Sequence, residues 1–194
     1  MLLLRLTSGD SVVGAVSDDG FQIGRFTVGD TLNLLLATAF LGALVGLFYA
    51  FARTVLPQRH RVVLYAVPVA LLGSAGLVHA DGVDFTILSP RWLAVTLFVA
   101  LPTAGAFGIA LAVEWLERHP TALPTPVLAV LSLLGTLALL PFAIFAPIIV
   151  LVGRVDLFRS FQGARWSQAL AVAVCFALAA VGLLNTVQDS VEIL

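Results

Sequence analysis

The chain has 194 residues, 60% of them hydrophobic and only 11% charged, with a formal net charge of -1. Soluble domains average roughly 45–50% apolar and about 25% charged residues, so this composition excludes an ordinary water-soluble globule. The near-neutral balance points to no nucleic-acid partner, every basic residue is arginine, and the single cysteine, Cys175, excludes an internal disulfide, a CxxC redox pair and a thiolate zinc site.

Residues 1–30 read as an extracytoplasmic tail. Arg5 interrupts the opening apolar run, far short of the roughly 7–15 apolar residues of a secretory signal, so the tail is expected to be retained. Within it, Val12, Val13, Val16, Phe21, Ile23, Phe26 and Val28 flank the turn sequence Ser17-Asp18-Asp19-Gly20. Asp-Gly between two β-prone runs predicts a short β-hairpin outside the membrane. Two strands alone are marginal in water, so it is expected to rest on the bundle, a loop or a partner.

Five stretches then lack Asp, Glu, Lys and Arg: 31–52, 62–78, 92–113, 120–153 and 166–188. A helix needs roughly 20 apolar residues to cross the hydrocarbon core, and backbone groups in lipid must be satisfied within the segment. The expected fold is therefore an all-α, polytopic membrane bundle of five hydrophobic segments. They are placed at about 31–53, 61–79, 91–116, 127–152 and 166–187 within a membrane domain 31–188, and residues 189–194 form a short tail.

In the first segment Asp30 or Thr31 is expected to cap the helix. Gly42 and Gly46 have GxxxG spacing, which permits close approach of another helix, within the chain or in a second copy. Pro68, Gly73 and Gly76 loosen the second segment, and Pro102 the third. Trp92, Trp115 and Trp166 stand at predicted boundaries, where indoles favour the interfacial zone. Pro141 and Pro147 make the fourth segment either one kinked span or a broken, re-entrant one. Hydrophobic length ranks the full crossing first. The positive-inside rule favours the return, since it places seven arginines inside against three, whereas five full spans place four inside against six. Either way the loop with Arg53, Arg59 and Arg61 is cytoplasmic and the N-terminus is outside.

No ionisable residue falls in the middle of a span, which argues against an ion-coupled transporter or a voltage sensor. Gly73-Ser74-Ala75-Gly76 has its serine one place early for an intramembrane serine protease of the rhomboid type, and no HExxH motif occurs. Glu114, Glu117, Arg118 and His119 share a helix end, and the spacing pairs Glu114 with Arg118 at i, i+4 on a solvated surface. His79, Asp81 and Asp84 cluster on the 79–90 loop, where a polar surface outweighs a cation contact. The segment 153–166, with Arg154, Arg159 and Arg165 among apolar residues, reads as an interfacial turn.

Val16-Ser17-Asp18-Asp19-Gly20-Phe21 before a glycine-containing first segment, and Asp81-Gly82-Val83-Asp84-Phe85 followed by Pro90 and Trp92-Leu93, resemble a group of small multi-pass membrane proteins of actinobacteria with no known activity. The resemblance implies that the hairpin and the 79–90 loop share one face. The functional expectation is a non-catalytic integral protein of the plasma membrane without cofactor or metal. It would be an accessory or assembly partner, with the lipid bilayer and a membrane-protein partner or homo-oligomer as its contacts. Its contact residues would be Gly42, Gly46, Asp81 and Asp84. The alternative is a carrier of an apolar or lipid-like molecule between proline-kinked helices.

Overall fold

The computed structural model describes residues 14–17, 20, 27–82, 85, 89–119, 124 and 165–194. They form four helices: α1 (Val28–Ala52), α2 (Arg61–Leu77), α3 (Arg91–Arg118) and α4 (Arg165–Ile193). At 1.5 Å per residue, the 25, 28 and 29 residues of α1, α3 and α4 span roughly 37–44 Å, more than the core of a bilayer. These three are long and apolar enough to cross a membrane. Their apolar side chains are largely uncovered, as at Leu35 (62% exposed), Leu101 (66%) and Phe176 (66%). Exposed apolar surface on this scale fits a lipid solvent, and the chain fits a membrane protein.

Two expectations are corrected. Five spanning segments give way to four helices among the described residues, three of them candidate spans. The second segment stops at Leu77, where Val78 turns extended (ψ 110°), leaving 17 residues, about 25 Å, shorter than the other three helices. The expected helix 127–152 lies outside the described residues. The β-hairpin is also overturned, since no strand occurs among the described residues. Its turn alone stands, with the Gly20 N–H donating to the Ser17 carbonyl at 2.9 Å and Gly20 at φ +80°. The local turn needs only that bond and a glycine, whereas a two-stranded ribbon needs a surface to pack on. Most of the flanking residues lie outside the described set.

Smaller boundaries move too. Thr27, not Asp30 or Thr31, caps α1: its hydroxyl oxygen accepts from the Asp30 N–H at 3.2 Å. The helix thereby gains a turn, and Asp30 lies at the positive end of its dipole. At the other terminus, residues 189–193 belong to α4 rather than to a tail.

α2 is the centre of the bundle, packed most extensively against α3 and next against α4, while α1 lies on α3. Pro68 and Pro102 sit inside continuous helices. In the middle, Ala66, Ala70 and Ala106 bring α2 and α3 close, and a Cβ on Gly73 would stand 2.8 Å from the Pro102 ring. A Cβ on Gly182 of α4 would stand 2.8 Å from the backbone of Leu71 and Leu72. Small residues are what lets helices approach in lipid, where dispersion rather than water drives packing.

The contacts also fix the direction of each helix. Ala171, Val172 and Cys175, early in α4, pack against the cluster formed by Tyr49, Leu56, Tyr65 and Ala110, whereas Ile193 at its end belongs to the cluster of Val78, Phe85, Ala94 and Val95. α4 therefore runs parallel to α2, and both run antiparallel to α3. The chain leaves α3 and re-enters α4 at the same end of the bundle. That is the end of Arg53, Arg59, Arg61, Arg118 and Arg165; among the described arginines only Arg91 lies at the opposite end.

Candidate functional site

At the arginine-rich end, three helices contribute to one polar cluster. Its centre is Glu114 of α3, only 6% exposed although it lies one turn before the helix ends at Arg118. The Tyr49 hydroxyl of α1 donates to Glu114 Oε1 at 2.7 Å. The Arg61 guanidinium, at the start of α2, donates to Glu114 Oε2. Arg53, just past α1, stands 3.8 Å from Glu114 Oε1 through Nε and forms a second ion pair with Glu117. Tyr65 completes the group: its ring lies 5.0 Å from that of Tyr49, and its hydroxyl donates to the Val45 carbonyl at 2.5 Å.

The local reason is helical register. Tyr49 and the α1 C-cap Arg53 lie four positions apart, as do Arg61 and Tyr65 on α2, so each helix end presents one aromatic and one cation on a single face. On α3, Glu114 meets both, and Glu117, three positions on, meets Arg53. Each oxygen of Glu114 is engaged, and the arginines that desolvate around it are engaged in turn. Burying a charge costs heavily unless it is paired and hydrogen-bonded, and here the pairing comes from two other helices. The expected partner of Glu114, Arg118, is not the one used. Helical spacing placed them on a common solvated face, but burial of Glu114 against α1 and α2 turns the carboxylate inward and leaves Arg118 exposed.

The predicted contact residues fall in two places. Gly42 and Gly46 both lie against Ile109 of α3, where an added Cβ would meet it at 3.7 and 3.6 Å, ordinary contact distances. Asp81 lines an open depression of about 320 Å³ at the far end, together with His79, Ala80, Asp189 and Glu192. Asp84 lies outside the described residues. No cluster of three His, Cys, Asp or Glu side chains among the described residues is arranged to hold a metal ion. Below the depression, the Arg91 guanidinium donates to the Ile193 carbonyl at 3.3 Å, tying the last turn of α4 to the start of α3.

Ser74, the serine weighed as a nucleophile, is fully buried and donates to the Ala70 carbonyl at 2.8 Å. Such back-bonding satisfies the hydroxyl within its own helix. Pro68 is buried, and the Pro102 ring is covered by Gly73. No protein-family model, curated protein or solved structure matches this chain.

Proposed function

We propose that this is a multi-pass plasma-membrane protein without a catalytic role, acting as an accessory or assembly partner, its arginine-rich end in the cytoplasm and its N-terminus outside. The observation that carries the reading is the saturation of Glu114. Tyr49, Arg61 and Arg53 occupy its carboxylate, so the most polar buried group joins α1, α2 and α3 instead of meeting a substrate. The orientation follows the positive-inside rule, with five of the six described arginines at one end. The carrier alternative needs a cavity lined by Pro68, Pro102 and Pro141; Gly73 approaches closely at Pro102, and Pro141 lies outside the described residues.

Purification in a mild detergent tests the proposal. A stoichiometric membrane partner, or an oligomer that survives dilution, supports it. A clean monomer with nothing co-isolated overturns it.

A further inference from the structure

Arg53 and Arg61 meet Glu114 and Glu117 where the α1–α2 connection touches the last turn of α3, and Arg59 and Arg118 are near them in sequence. The pairs Arg61–Glu114 and Arg53–Glu117 lock those two pieces of chain together. Two glutamates cancel two of the arginines, and the pair left over, Arg59 and Arg118, is the exposed pair. Arg59 stands two positions before Arg61, and Arg118 directly follows Glu117, so the locks also hold the unpaired cations on one rim. Neither takes part in an ion pair among the described residues. His60 and His119 on the same rim are exposed as well.

The rim carries its own depth marker. Trp115 is 48% exposed, and its indole stacks on the His119 ring at 5.3 Å. An exposed indole at the end of an apolar helix prefers the zone of the lipid headgroups. Arginines at that depth face phosphates, which guanidinium groups bind with charge-assisted hydrogen bonds.

We propose that Arg59 and Arg118 form a binding rim for the phosphate of an anionic phospholipid in the leaflet at this end of the bundle. The proposal rests on the chain lying in a bilayer and is independent of which side the rim faces. α1–α3 supply the framework through the Glu114 pairs, and the lipid supplies the negative charge that Arg59 and Arg118 do not meet among the described residues. A surface arginine adds about a fivefold preference for an anionic membrane, so the two together add about 25-fold.

The test uses the full chain reconstituted in nanodiscs of equimolar phosphatidylcholine and phosphatidylglycerol, with retained lipids counted by native mass spectrometry. Wild type is expected to keep phosphatidylglycerol in preference to phosphatidylcholine. R59Q/R118Q is expected to lose that preference by about 25-fold, while R59K/R118K, which keeps the charge, retains it. Equal retention of the two lipids by wild type overturns the proposal, as does an unchanged preference in R59Q/R118Q. If the glutamine variant fails to incorporate, the single variants R59Q and R118Q carry the test, each with about a fivefold loss expected and an unchanged preference overturning it. Failure of wild type to incorporate into nanodiscs would instead strike at the membrane reading itself.

Discussion

Tyr49 and Glu114 are 65 positions apart in sequence, yet the hydroxyl of one donates to the carboxylate of the other at 2.7 Å in a buried contact. The bond joins α1 to α3 at the end where Arg53 also pairs with Glu114 and Glu117 and the Tyr65 hydroxyl meets the Val45 carbonyl. Phenylalanine at position 49 keeps the ring packing on Tyr65 and removes only the donor. Side-chain bonds between membrane helices average about 0.6 kcal/mol, and a buried acceptor left short costs about 1 kcal/mol.

Tyr49→Phe should therefore lower stability by about 1 kcal/mol. Glu114→Ala should cost about 3 kcal/mol or more, because Arg61 then keeps its charge without a partner in a part-buried position. Thermal unfolding in detergent, followed by size-exclusion fluorescence, should rank wild type above Tyr49→Phe and Tyr49→Phe above Glu114→Ala. In a double-mutant cycle the two changes should be non-additive, since they remove parts of one network. Additivity would mean that the two side chains act separately.

The glycines give a contrast within one protein. A Cβ on Gly182 would meet the backbone of Leu71 and Leu72 at 2.8 Å, which no rotamer change can relieve, so α2 and α4 must separate. Gly182→Ala is expected to cost about 2 kcal/mol, in the range of overpacked cores. Gly42→Ala and Gly46→Ala would meet only Ile109, at 3.7 and 3.6 Å, and should change stability by less than about 0.5 kcal/mol. Detergent melting temperatures of the three variants decide this. A loss at Gly42 equal to that at Gly182 would show that the GxxxG face is tighter than the contact at Ile109.

The helices were legible because length and hydropathy alone demand them, and Trp92, Trp115 and Trp166 marked boundaries within a few residues. The cap at Thr27 lies one turn before the expected start at Asp30 or Thr31, and its signature is a hydroxyl followed three places later by an acid. The Glu114 cluster was out of reach of local pattern. Spacing within α3 offers Arg118, whereas the true partners stand 53 and 65 residues away. One signal was available: the chain has only two tyrosines, both in otherwise apolar helices, and a phenol buried there needs an acceptor. At Gly182 the signal was the small-residue spacing with Thr186, whose hydroxyl also reaches the Leu71 carbonyl at 3.4 Å. The hairpin failed where local turn chemistry was asked to stand for strand pairing.

At the opposite end, Ile193 is 4% exposed against Val78, Phe85, Ala94 and Val95, and Arg91 holds its carbonyl. A cation at a helix C-terminus is worth roughly 0.3–1 kcal/mol, and truncating a buried isoleucine to alanine costs about 2 kcal/mol or more. Ile193→Ala should thus destabilise more than Arg91→Gln. Hydrogen exchange should show both variants opening the last turn of α4 before the Glu114 cluster loosens. Simultaneous opening of both ends would mean that the bundle unfolds as one unit.

The parallel run of α2 and α4 has a consequence for topology that hydrophobic length had argued the other way. If α3 ends and α4 begins at one end of the bundle, residues 119 and 165 lie on one side of the membrane, and residues 81 and 194 on the other. On the proposed orientation, with the arginine-rich end in the cytoplasm, positions 58, 119 and 165 are expected inside and position 81 outside. Single cysteines at positions 58, 81, 119 and 165, in a Cys175→Ala background, read this with a membrane-impermeant maleimide. Asp81→Cys should react in intact cells, whereas Gln58→Cys, His119→Cys and Arg165→Cys should react only after permeabilisation. Labelling of position 165 from outside while 119 stays protected would require a full crossing between them and would overturn the parallel run of α2 and α4.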